Sequence, residues 1–425
     1  MKEDFLQFIW KNKLFQSDSL WTNEGESVRI ENPGRHNTNA GPDFFDARIK
    51  IGDTLWAGNI EIHLKASDWN RHGHESDPAY RNTILHVVAV LDALVHNDLG
   101  SAIPTLVIKW PEWIAHNYEM LIKSHDWIGC ASVLYQIDPF RIRFFLNGLA
   151  IERLTQKIES ITKVLAETKQ NWSETFYCMV ARCFGLKENA QPFEMVARSL
   201  PQSVLSHHQD SLFQLEALLF GQAGLLGEEL FGDDYYLDLR KEYRFLALKY
   251  GLKPIDGYLW KFMRMHPSNF PTLRIAQFAS LIFRSRNLFS TVVEASDLDE
   301  IKNIFTLTAS PYWDDHYSFN KLSAFKKKVF GDEVFRLVLI NVVVPFFFLY
   351  GDNQNKLILK DKALAILELL PAEKNRWINR WAESGVVASN ALESQALLQL
   401  QKNYCEPRRC LNCTIGHKLI LHEPV

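Results

Sequence analysis

The chain has no apolar run long enough to cross a bilayer as a helix, which takes roughly 20 residues. Its longest candidate, Leu337 to Tyr350, is about 14 residues and reads as a buried helix. The first residues, Met1-Lys2-Glu3-Asp4, are acidic and are not followed by an export segment, so no signal peptide and no membrane partner are expected. Cysteine is scarce, six in 425 residues, which excludes a disulfide scaffold and makes the cytoplasm the expected compartment. No repeat of fixed period is present. A net charge of −3 argues against a protein that coats nucleic acid through bulk charge.

What is present describes a globular protein of more than one domain, with 47% hydrophobic and 23% charged residues. The first 110 residues or so read as α/β. Phe5, Leu6, Phe8, Ile9, Trp10, Leu14 and Phe15 suit an amphipathic opening helix. A short strand is expected near Val28 to Ile30, then a breaker-rich loop, Pro33 to Gly41. Phe45 to Ile51 and Thr54 to Leu64 form a predicted hairpin turning at Gly52-Asp53. The apolar runs Ile84 to Leu91 and Ile103 to Ile108 suit buried strands. After about Pro139 helical spacing takes over. The expected architecture is α+β: a mixed sheet with flanking helices over residues 1–130, an all-helical domain over 131–400, and a cysteine-rich tail over 401–425.

The hairpin carries the chemistry. Side chains alternate along a strand, so Glu61, His63 and Lys65 share one face while Ile60, Ile62 and Leu64 line the other. Asp43, at the root of the preceding strand, is within reach of Glu61. Two carboxylates on neighbouring strands make a site for a hard divalent cation, Mg²⁺ or Mn²⁺. In Gly41-Pro42-Asp43-Phe44 and Gly58-Asn59-Ile60-Glu61-Ile62-His63 the chain resembles the PD-(D/E)xK nuclease superfamily. That resemblance implies a restriction-endonuclease-like fold and a metal-dependent phosphodiesterase acting on DNA. Asp43 and Glu61 would hold the metal, and the residue two after the glutamate would position the attacking water. Here that residue is His63 where the superfamily has lysine, with Lys65 as an alternative. The connection Asp68 to Asn82 is also shorter than the usual crossing helix. Two rival readings stand beside this one: a non-catalytic nucleic-acid-binding or scaffold protein on the same fold, and a hydrolase of another substrate class. His72, His74 and His86 support the latter, since imidazoles suit transition metals and these three crowd the same region as possible lining of the active site.

Two further features stand apart. Leu239 to Arg286 holds ten Lys and Arg against two acids, with aromatics interleaved. Arg240, Arg244, Lys261, Arg264 and Arg274 are its candidate nucleic-acid contacts. At the other end, Cys405-x₄-Cys410-x₂-Cys413 has the spacing of a zinc or iron–sulfur site, whose fourth ligand is Cys130 or the local His417. The one-plus-three pattern resembles the iron–sulfur staple of some nucleases of the superfamily, although there the lone cysteine precedes the catalytic motifs. Cys178 and Cys183 are expected in the core. Over its whole length the chain resembles a bacterial family that carries no assigned function, through Gly41-Pro42-Asp43-Phe44, Asn269-Phe270-Pro271 and the tail from Tyr404 to Gly416.

Overall fold

A computed structural model describes residues 2–16, 19–227 and 232–423. The chain divides into two compact units. One comprises Met1–Phe145, Arg380–Val386 and Leu398–Val425, so the cysteine-rich segment belongs to the same unit as the hairpin; the other comprises Leu146–Asn379 and Val387–Leu397.

The first unit is built on a mixed sheet. Its strands are β1 (Leu20–Trp21), β2 (Ser27–Asn32), β3 (Arg35–His36), β4 (Phe44–Ile51), β5 (Thr54–Lys65), β6 (Thr83–Val90) and β7 (Thr105–Val107). They lie in the order β1-β2-β4-β5-β6-β7, with β3 also pairing β4. The strands from β1 to β5 pair antiparallel, and β6 and β7 then add in parallel. A two-residue turn with Gly52 at φ +56° closes the β4–β5 hairpin, pairing Ile51 with Thr54. A bulge follows: Phe44 pairs Ile60 but Ala47 pairs Gly58, and Asp46 takes φ +61° to absorb the extra residue. This register brings Asp43, one residue before the strand, opposite Glu61. Gly58 lies where β6 approaches closely, since a Cβ there would sit 2.4 Å from Ile84 Cγ2. The opening helix α1 (Glu3–Lys11) buries Phe5, Leu6, Phe8, Ile9 and Trp10, leaving Glu3 and Gln7 on a different face. The expected elements are therefore present, most with ends shifted by a residue or two. The exceptions are the opening helix, which stops at Lys11 and leaves Leu14 and Phe15 outside it, and the last strand, which is shorter than the apolar run Ile103 to Ile108 that suggested it.

Among the described residues the second unit is mostly helical, with a small hairpin, His316–Ser318 against Lys321–Leu322. Its core is aromatic: Phe176 packs against Phe289 and Phe346, and Phe184 stacks on Phe330. The apolar run centred on Phe346 belongs to a longer helix than expected, Asp332–Asn353, of 22 residues. By length and composition this helix could cross a membrane, but 72% of its most apolar stretch is buried inside the protein, as for a core helix. A π-turn at Leu339–Val343 just precedes Pro345, whose ring and missing N–H would disturb a regular α-helix at that point.

Candidate metal centre

Asp43 and Glu61 are locked to each other's strands. The Asp43 N–H donates to Glu61 Oε2 (3.1 Å), and the Ile62 N–H donates to Asp43 Oδ2 (3.0 Å). Gln7, from α1, donates its Nε2 to Asp43 Oδ1 at 2.8 Å. The Gln7 Oε1 lies 3.4 Å from His36 Nε2. Burial, with the neighbouring Glu61 charge, pushes the Asp43 carboxyl up to about 7. Burial pushes Glu61 up to about 8, with Glu3 adding to the effect against the hydrogen bond from Asp43. Two acids packed together without a compensating cation prefer to keep protons.

Two histidines close on the Glu61 carboxylate, and a third closes on one of them. Glu61 Oε1 lies 3.3 Å from His74 Nε2 and 3.6 Å from His63 Nε2. His63 Nε2 is in turn 3.1 Å from His72 Nδ1. One ring nitrogen from each of His63, His72 and His74 can be chosen so that all three lie within 4.8 Å of one another. An ion bound at 2.0–2.1 Å with tetrahedral angles holds its ligand atoms about 3.4 Å apart, so the spacing suits a single first-row ion. The donor set of three imidazoles and a carboxylate suits Zn²⁺ or Mn²⁺ better than Mg²⁺, which favours oxygen.

The other side of His63 is braced. Its Nδ1 lies 2.9 Å from His86 Nε2 on β6, where His86 is the register partner of Glu61. Both rings are fully buried. Burial and the neighbouring imidazoles bring His63 down to about 2, and burial brings His86 down to about 3, so both are neutral near pH 7. With its proton on Nδ1 and donated to His86, His63 keeps a lone pair on Nε2, the tautomer that a metal ligand needs. His74 is stacked on Tyr80, with ring centroids 3.7 Å apart, and Trp69 meets both rings edge-on. His72 alone of the triad is exposed, so the site opens on that side.

Lys65 is not part of this cluster. Alternation gives it the right face, but it sits at the exposed end of β5, and its charge is felt at Asp92 instead. Gln7, Glu3 and Trp69 were missed from the sequence. For the first two the signal was an i, i+4 polar pair on a helix whose other face is apolar.

Comparison with known families gives one match: a family described as "Protein of unknown function (DUF2851)" over residues 3–376. The chain belongs to this family. No curated protein and no solved structure matches it, and nothing in these comparisons ties it to the PD-(D/E)xK superfamily. The DUF2851 match takes in both carboxylates, all four histidines and Cys130, and ends before the tail cysteines.

The basic stretch of this DUF2851 protein lies in its second unit and does not form one uniform face. Arg274, proposed to meet phosphate, is instead buried, its guanidinium donating to Gln277 Oε1 (3.0 Å) and Asn269 Oδ1 (2.6 Å). Burial lowers it to about 10, and its role is to cross-brace helix and loop. Tyr243 and Trp260 are buried too, bonded to Gln222 Oε1 and the Ala223 carbonyl. Arg244, Lys261 and Arg264 are exposed, and Arg240 is half-buried.

Proposed function

We propose that this protein is a metal-dependent hydrolase of phosphodiester bonds in nucleic acid, with one Mn²⁺ or Zn²⁺ held by Glu61, His63, His72 and His74. The observation that carries the reading is the convergence of ring nitrogens of His63, His72 and His74 within 4.8 Å of one another, with Glu61 Oε1 3.3 Å from His74 Nε2 and 3.6 Å from His63 Nε2, beside a second carboxylate, that of Asp43. When bound, such an ion supplies an acidified water and a positive charge against a phosphate oxygen.

The protein's own groups then divide the work. His63, buried and neutral, serves as a ligand; this differs from the superfamily lysine, which handles the water. Asp43, outside the imidazole cluster and shifted to about 7, is placed to act as the general base. Gln7 and the Ile62 N–H hold its carboxylate in one orientation. His86 orients His63 from behind. The hairpin followed by buried parallel strands is in keeping with the superfamily layout. Nucleic acid as substrate is supported by a polar cavity of about 720 Å³ that starts at Gln7 and His36. Lys11, Arg409 and His417 line it, with Asp4 its one acid. Cations and amides along a groove suit a phosphate backbone.

The test is incubation of the purified full chain with Mn²⁺, Zn²⁺ or Mg²⁺ and labelled single- and double-stranded DNA and RNA. Cleavage with Mn²⁺ or Zn²⁺ that a chelator abolishes is the expected result. Tight binding of one ion per chain without cleavage of any phosphodiester would refute the activity. His86→Phe should weaken Mn²⁺ binding by about 10–100-fold, the usual cost of losing an outer-shell partner of a histidine ligand. Titration calorimetry checks it, and an unchanged affinity would remove His86 from this role.

A further inference from the structure

Outside the proposed centre, the first unit gathers four cysteines from distant parts of the chain. Cys130, Cys405, Cys410 and Cys413 line one cavity of about 20 Å³, together with Leu121, Gly129, Tyr404 and Gly416. All four are free thiols, Cys413 buried and the others partly so. We propose that they hold an iron–sulfur cluster of the [4Fe–4S] kind.

The convergence is built by packing that needs no metal. Arg408 donates its Nη2 to the Ser124 carbonyl (2.9 Å) and the Asp126 carbonyl (2.7 Å), on the loop that leads to Cys130. Asn117 Nδ2, on the helix Glu112–Lys123, donates to the His422 carbonyl at 2.9 Å. The helix Thr414–Ile420 lies so close to the first turn of the motif that a Cβ on Gly416 would be 2.3 Å from the Cys410 carbonyl oxygen. Only glycine fits there. The N–H groups of Gly416 and Ile415 hydrogen-bond the Cys413 sulfur, the pattern that favours thiolate over thiol in a metal ligand.

A second observation points to an anionic occupant. Arg408 Nη1 is buried with no hydrogen-bond partner, and a Cβ on the cavity-lining Gly129 would be 2.9 Å from it. A buried guanidinium nitrogen left unpaired is costly. A four-thiolate cluster bears net negative charge and would complement it.

The fourth ligand and the kind of centre also follow from geometry. His417 turns its ring edge-on to Phe8, 5.1 Å between centroids, and lines the polar groove, not the cysteine cavity. Cys130 completes the set. A single tetrahedral zinc would hold its sulfurs about 3.8 Å apart, from bonds of about 2.3 Å. Among the described residues the group of metal-ligating atoms within 4.8 Å of one another is the histidine triad, and the thiols do not form one. They line a common cavity at wider spacing. A cluster bound through one thiolate per iron matches that spacing. Cys413 also lines the groove that Arg409, Thr414 and His417 share, so a cluster would fix that wall in place.

The test is the full chain purified anaerobically, assayed for iron, acid-labile sulfide and visible absorption. The Glu61→Gln protein is measured in parallel, so that an ion at the hairpin is not counted. About four iron and four sulfide per chain are expected. Cys130→Ser should lose both, and His417→Ala should keep both. About one zinc per chain with no sulfide in the Glu61→Gln protein would overturn the proposal. So would failure to take up iron and sulfide on anaerobic reconstitution. Full sulfide in Cys130→Ser would overturn the assignment of the fourth ligand. Should Cys130→Ser prove insoluble, the wild-type stoichiometry and His417→Ala still decide. Sulfide content does not depend on cleavage, so this result stands or falls apart from the phosphodiesterase reading.

Discussion

Glu61→Gln is expected to lower metal-dependent cleavage by at least about a hundredfold, beyond the usual 10–100-fold cost of an outer-shell change, while the first unit stays folded. Glu61 Oε1 is the oxygen that faces His63 and His74, and it brings the cluster's negative charge. Glutamine keeps the volume and an acceptor for the Asp43 N–H but loses that charge. Because buried Glu61 keeps its proton up to about pH 8 without the ion, glutamine is close in shape and charge to the form already present, so at neutral pH the metal-free variant should melt no lower than wild type. His72→Ala should also lose Mn²⁺ affinity, whereas Asp43→Asn should retain the ion and lose about 10²–10⁴ in rate as a general base. Calorimetry with Mn²⁺, alongside cleavage rates for the three variants, separates holding the ion from using it. A Glu61→Gln protein that cleaves within a few-fold of wild type would remove the centre from the mechanism.

The metal-free protein should lose stability as pH rises from about 6.5 to 8.5, and bound Mn²⁺ should reverse the trend. Within the first unit, which holds Trp10 and Trp69, four groups at the site set this window. His63 and His86 fall from 6.5 to about 2 and about 3, so what they contribute is present above about 6.5 and is lost as pH falls. Asp43 rises from 3.8 to about 7 and Glu61 from 4.5 to about 8, so what they contribute is present at acid pH and is lost as pH rises through these values. Between about pH 4.5 and 6.5 the two unfolded histidines and the two folded carboxyls bind equal numbers of protons, and the contributions cancel. Above 6.5 only the folded carboxyls remain protonated. The resulting loss is roughly 1–3 kcal/mol, at about 1.4 kcal/mol per proton per pH unit, with Asp43 discounted for its partial exposure. An ion at a hundred times its Kd adds about 2.7 kcal/mol and displaces these protons, so its effect should be largest at the alkaline end. Thermal melts followed by the fluorescence of buried Trp10 and Trp69, with and without chelator, would read this out. A flat or rising metal-free profile over the window, or the same decline in Asp43→Asn/Glu61→Gln, would contradict it.

The hairpin was legible because strand periodicity is local. Gly52-Asp53 marks the turn, alternation puts Glu61 and His63 on one face, and the register follows from counting back from the turn, bulge excepted. Lys65 shows the limit of that logic: alternation gives a side chain's direction but not whether the strand is still covered where it stands. Arg274 failed for a related reason. Composition along Leu239 to Arg286 said cationic, but only the packing of the helix Pro271–Arg284 turned this arginine inward, onto Gln277 and Asn269.

By itself, then, the sequence determined the order of helix, hairpin and buried strands, the change to helices after about Pro139, and the crowding of histidines near Asp43 and Glu61. Period-2 and period-3.6 burial and the turn residues act over a few positions, so a single chain displays them. Three matters were decided only by the tertiary structure. His72 and His74 meet His63, and His74 meets the Glu61 oxygen, because the short helix Asp68–Arg71 and the turn at His74–Ser76 fold back over β5. Gln7 reaches Asp43 because α1 packs beside the sheet, and Cys130 meets Cys405, Cys410 and Cys413 because the last segment returns to the first unit. Apart from Glu61 and His63, neighbours on one strand face, these contacts join residues whose separation along the chain carries no periodic signal, and burial of apolar surface, which is indifferent to sequence distance, is what brings them together.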